Sequence, residues 1–166
     1  MKQVSARLFA LLLAPVAFFA FSFKPVNADF TGEWKLNESK SELGNFGGRF
    51  AARSLKVEQT AEAIIVASTR PGFQGGDPVT TSQTFGFDGK ESESTTFGNA
   101  KRKSKAQWSA DGQTLNFTHV TTMEREGQSF EINGTEAWSL KDGSLTIVSV
   151  SSSPRGEMTT KLVYDK

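Results

Sequence analysis

Few residue types in this chain can do chemistry. It contains one histidine, His119, and no cysteine, so thiol nucleophiles, thiolate metal sites and disulfides are excluded. No G-x-S-x-G elbow offers an activated serine. Metal binding needs clustered ligands, and the sequence holds neither a His pair nor an Asp/Glu ladder resembling a calcium loop. Gly47-Gly48 and Gly75-Gly76 follow no strand-to-helix pattern that would cradle phosphate. A lone strand histidine is more often a packed or surface residue than a base. No catalytic residue, metal or cofactor is therefore expected.

The charged residues are more informative. Lys101-Arg102-Lys103-Lys105 is the one basic run, and on a strand the three lysines point one way and Arg102 the other. The run lacks the interleaved aromatics of a nucleic-acid stripe. It reads as a solvated lysine face that discourages edge pairing, with no nucleic-acid partner. The same alternation puts Arg102, Ser104, Ala106 and Trp108 on one face. It also puts Phe130, Ile132, Gly134, Glu136, Trp138 and Leu140 on one face. If Trp108 and Trp138 face inward, Arg102 and Glu136 do too, and a buried charge must be paired, neutralised or used. Two readings stand. Either each charge sits in water near a barrel mouth, or is turned out by a bulge, or the two form the polar pole of a cavity. In the second reading Arg102 takes a ligand carboxylate by two parallel hydrogen bonds, and Trp108, Phe117 and Trp138 line an apolar wall. The candidate ligand-binding residues are thus Arg102, Trp108, Phe117, His119, Glu136 and Trp138.

Short strands must position them. From Phe30 onwards two-residue alternation recurs and a 3.6-residue period is almost absent. Leu55 and Val57 alternate with Lys56 and Glu58. Ala63–Thr69 is a continuous β-branched run that suits a strand buried on much of both faces. Thr60-Ala61-Glu62 is a tight turn. Asp88-Gly89, Asp111-Gly112 and Asp142-Gly143 are hairpin signals. Leu115, Phe117, His119 and Thr121 share a face, and Met158, Thr160, Leu162 and Tyr164 line the closing strand after a turn at Pro154-Arg155-Gly156. Residues 37–53 and 69–78, with three aromatics among Gly and Pro, read as connections: loops pinned to the scaffold, or the rim of a cavity. Trp108–Leu115 and Trp138–Leu145 echo each other and read as two equivalent hairpins of one sheet. About ten strands at regular spacing predict an all-β fold. Consecutive hairpins pair in order, and closure removes the edges of a long meander. The expectation is a closed antiparallel up-and-down β-barrel of about 8–10 strands, with a sandwich as the alternative.

Residues 1–28 differ from the rest. Lys2 and Arg7 precede an apolar run over Leu8–Phe23, and Val26-Asn27-Ala28 offers small residues to a signal peptidase. That order predicts a secretory signal helix cleaved after Ala28, leaving a barrel domain at 29–166 with no stable membrane span. The apolar run is somewhat short for spanning. Without Lys2, Arg7 and Lys24 the 19 basic residues become 16 against 18 acidic ones, a formal charge of −2. No global basic field exists to draw nucleic acid or anionic lipid. Export without cysteine suits a bacterial envelope, and the expected location is periplasmic or extracellular.

Phe30-Thr31-Gly32-Glu33-Trp34-Lys35-Leu36-Asn37, followed by Ser39-Lys40-Ser41, resembles the opening of small secreted bacterial lipocalin-like proteins. The resemblance implies that Trp34 plugs the closed end of a barrel and that Gly32 lets the strand bend beneath it. In lipocalins a late arginine covers that tryptophan, and the residue to weigh here is Arg155, which falls in a turn. The strand count is nearer to the fatty-acid-binding proteins of the same grouping, although the first connection is richer in glycine than their helical lid. The function implied is non-enzymatic binding of a small apolar or amphipathic molecule of lipid or fatty-acid type. An envelope interaction module with a side-chain-filled barrel is the first alternative, and an enzyme on the same barrel the second. A ligand pocket would measure about 300 Å³ or more; a filled core would show none.

Overall fold

The computed structural model describes residues 26–44, 48, 51–72, 75–96, 100–125, 127–153 and 156–166. Most of the expected signal helix therefore lies outside the described residues, as do Phe46, Phe50, Phe73 and Arg155. Ten strands follow in order: β1 (Gly32–Leu36), β2 (Ser54–Gln59), β3 (Ala63–Arg70), β4 (Val79–Gly86), β5 (Ser92–Thr95), β6 (Lys101–Trp108), β7 (Thr114–Arg125), β8 (Gln128–Lys141), β9 (Ser144–Ser153) and β10 (Gly156–Asp165). They form one antiparallel sheet in the order β4-β3-β2-β1-β10-β9-β8-β7-β6-β5. Apart from the β1–β10 junction, every ladder joins neighbours in sequence. One turn of 3-10 helix at Glu38–Lys40 follows β1. The up-and-down barrel expected from the alternation is what forms.

Closure is incomplete, which corrects the reading of Asp88-Gly89 as a hairpin. β4 and β5 flank that turn and lie near each other, but no ladder joins them. Two tethers pull the turn away from hairpin geometry. The Phe87 amide donates to the Glu62 carbonyl at 2.8 Å, keeping the end of β4 on the β3 side. The Phe87 ring turns inward against Trp108, with centroids 5.5 Å apart. Short, polar β5 then pairs only with β6.

A single rolled sheet has one dry face, and this corrects a second expectation. Ile64 and Val66 of β3 are buried, whereas Ile65 between them is 36% exposed. The β3 strand is buried on one side, and its continuous apolar run places one isoleucine in solvent. Leu140 likewise keeps the parity of Trp138 but sits at the end of β8, 40% exposed.

The closed end is aromatic. Phe30 is fully buried, stacked on Trp108 at 5.7 Å and edge-on to Trp138 at 6.1 Å. Trp34 donates its indole N–H to the Phe30 carbonyl at 2.8 Å. Gly32 has φ +146°, and a Cβ there would approach Lys166 Cε to 3.2 Å. Gly32 thus holds a backbone conformation that favours glycine. The cation over Trp34 is the Lys166 ammonium, 5.0 Å from the ring centroid, which is where the resemblance placed an arginine. The chain before β1 is tied in as well. The Ala28 amide donates to the Gly112 carbonyl at 2.8 Å, and Gln59 bridges the Ala28 carbonyl and the Phe30 amide.

Candidate functional site

Above this aromatic floor the barrel holds a cavity of about 290 Å³, at the lower edge of the range for ligand pockets. Strand parity divides its lining lengthwise. Near the floor are Leu55, Val66, Phe85, Phe117, Trp138 and Ile147. Towards the opposite end, where the connection before β2 and the β3–β4 segment meet the sheet, the inward positions turn polar. There β3 contributes Ser68 and Arg70, β6 Arg102 and Ser104, β7 His119, β8 Glu136, and β9 Ser149 and Ser151. Strands β3, β6 and β9 thus carry apolar residues at one end of the inner face and hydroxyls or charges at the other.

Five of the six candidates meet here: Arg102, Phe117, His119, Glu136 and Trp138 all line the cavity. Trp108 does not. One alternation step past Ala106, it lies below the cavity in the aromatic floor, stacked on Phe30 and tilted against Phe87. Its placement as a ligand wall is thus corrected: its partners are core rings, and its buried indole N–H has no partner among the described residues.

Arg102 is the most consequential of the five. Its Nε–H donates to Thr121 Oγ1 at 3.1 Å across the β6–β7 pair. Among the described residues no carboxylate comes within ion-pairing distance of it. Burial, only partly opposed by the Glu136 charge, lowers its pKa from the usual arginine value, and Arg70 pushes the same way. A guanidinium carries five donors, so most of this one's remain for the cavity. Glu136 is engaged instead by Trp138, whose indole N–H donates to Oε2 at 3.0 Å. The two inward charges are thus near neighbours electrostatically without forming a direct pair.

His119 stands opposite Gly134 in the β7–β8 register, and its ring fills the space that a Cβ on Gly134 would occupy. Burial foremost, then the Arg102 charge, lower its pKa below the ordinary histidine value, while Glu136 opposes them. Both effects favour the neutral imidazole in the empty cavity. Tyr164, on β10, donates its hydroxyl to the Ala52 carbonyl at 3.1 Å. That bond ties the connection before β2 to the cavity wall, and burial pushes the phenol pKa up.

Arg70 and the serines were not among the candidates from sequence. The signal existed: stepping by two from Ile64 and Val66 leads to Ser68 and then Arg70 on the inner face. The apolar appearance of the run concealed it. Among the described residues no cluster of potential metal ligands occurs, and no helix is long and apolar enough to cross a membrane.

This arrangement, an incompletely closed ten-stranded antiparallel barrel around a divided cavity, is the lipocalin and fatty-acid-binding-protein type of fold. Solved structures match it over most of their length. The REP1-NXSQ fatty acid transporter aligns with a TM-score of 0.55 at 12% identity, covering 82% of this chain and 94% of its own. The zebrafish ileal bile acid-binding protein, solved with cholic acid, aligns with a TM-score of 0.51 at 17% identity, covering 82% and 98%. At these identities the likeness is one of fold. No protein-family model matches the chain, and no curated protein sequence does.

Proposed function

We propose that this protein is an exported, non-enzymatic carrier of a small anionic amphipathic molecule of lipid or fatty-acid type. The observation that carries this reading is the inward guanidinium of Arg102, which lines an apolar-floored cavity and hydrogen-bonds only Thr121 among the described residues. A barrel filled only for stability would gain little by seating Arg102, His119 and Glu136 inside, since each loses hydration there. A carboxylate at Arg102 would replace that hydration with charge-assisted hydrogen bonds, and the chain of such a ligand would lie against Phe117 and Trp138. The two similar structures, a fatty acid transporter and a bile acid-binding protein, agree with a ligand of this class. The signal-like order of residues 1–28 supports export.

The test is equilibrium binding of dodecanoate and dodecanol to residues 29–166 of wild type and of Arg102→Ala. Losing a hydrogen-bond partner for a charged group should weaken dodecanoate about 10- to 100-fold, with a much smaller effect on dodecanol. Equal dodecanoate affinity in both proteins would remove Arg102 from the site. An absence of binding by either ligand would instead favour a packed interaction module.

A further inference from the structure

The cavity holds one group that can change charge near neutral pH, and it stands beside the proposed anion site. His119 is the sole histidine of the chain. Its ring is seated against Gly134 and shares the cavity with Arg102 from β6, Glu136 from β8, Arg70 from β3 and Tyr164 from β10. On the outer side, Lys103 and Lys105 of β6, Glu131 of β8 and Glu91, just before β5, surround its backbone. We infer that His119 couples ligand binding to proton uptake, so that an anionic headgroup seated at Arg102 is held more tightly as the pH falls. This inference rests on the anionic-amphiphile reading above and adds its regulation.

The sign follows from charge. In the empty cavity the neutral imidazole is favoured by burial and by the neighbouring Arg102 cation. An anion at Arg102 offsets that cation and attracts a proton to His119. The group is then more basic in the complex than in the free protein, and binding takes up a proton. By linkage, protonation strengthens binding by the same factor. The Glu136 carboxylate, held by Trp138, keeps protonated His119 from being wholly uncompensated. Carriage would favour acidic surroundings and release would favour neutral or alkaline ones.

The experiment uses decane-1-sulfonate, whose headgroup stays anionic throughout, with decanol as the uncharged control, titrated calorimetrically into residues 29–166. Between about pH 8 and about pH 5, the range in which histidine changes charge, sulfonate affinity should rise at least about fivefold, the low end of coupling between sites. Decanol affinity should change far less. Buffers of different ionisation enthalpy should reveal net proton uptake. His119→Gln should make sulfonate affinity independent of pH. A second readout needs no variant: the single imidazole resonance should titrate at higher pH in the sulfonate-saturated protein than in the free one. Sulfonate binding that is flat with pH, or a histidine titration unmoved by saturation, overturns the coupling and leaves the carrier reading intact. If neither sulfonate nor decanol binds at any pH, both readings fall.

Discussion

The imidazole of His119 lies where a side chain on Gly134 would have to be: a Cβ built there would stand 2.7 Å from its Cδ2 and closer still to Nε2. Gly134 is buried in mid-strand, where glycine ordinarily weakens a sheet. Its use is to make room for the ring. Gly134→Ala should therefore expel the imidazole and cost about 1–3 kcal/mol through overpacking. Urea unfolding and the histidine NMR shift check this; unchanged values for both would show that the ring is not seated as described.

Lys166 over Trp34 offers a second comparison. Trp34→Ala removes a 1%-exposed ring from the floor and should cost about 3–5 kcal/mol. Lys166→Ala removes the cation above it and should cost about 0.5–1 kcal/mol, whereas Lys166→Arg should keep most of that. Denaturant midpoints of the three variants should rank in that order.

Asp165 predicts an acid limb. Its carboxylate accepts from Ser144 Oγ at 2.6 Å, Asn37 Nδ2 at 2.7 Å and Lys40 Nζ at 3.0 Å. Those bonds, the serine's foremost, hold its pKa down to about 2 from 3.8. A depressed folded value means that this stabilisation is complete well above pH 3.8 and is lost as pH falls towards 2. Asp165→Asn should melt below wild type at neutral pH, with the difference shrinking as pH falls through that window. A gap that stays constant down to the acid end would contradict the assignment.

The tryptophans divide by position. Trp138 lines the cavity, while Trp34 and Trp108 sit in the floor. Dodecanoate should change the Trp138 emission, and Trp138→Phe should abolish most of the ligand-dependent signal. A full signal surviving in that variant would move the ligand elsewhere.

What the sequence made legible was whatever period two and turn chemistry encode. Parity placed Arg102, Phe117, His119, Glu136 and Trp138 on inner faces, and the Gly32-x-Trp34 pair marked the closed end. Parity names a face but not a height along it, which is why Trp108 fell to the floor while Arg102 reached the cavity. The open β4–β5 edge was hidden because Asp88-Gly89 carries a good local hairpin signal, and the interactions that defeat it, Phe87 with Glu62 and with Trp108, are long-range. Lys166 over Trp34 was hidden for the same reason: the first and last strands meet only once the sheet is rolled.

That rolling has a mechanical consequence. Strands β1 to β4 make one leaf and β5 to β10 the other, joined by a short ladder of Lys35 with Asp165 and Leu36 with Tyr164, which the Asn37–Val163 and Glu42–Lys161 backbone bonds and the Asn37 and Lys40 side chains on Asp165 extend. On the far side the leaves face each other with no ladder at all. The leaves meet there through ring contacts, Phe87 on Trp108 and Phe85 on Phe117, so the β4–β5 seam is a line along which the wall can part without breaking a strand ladder.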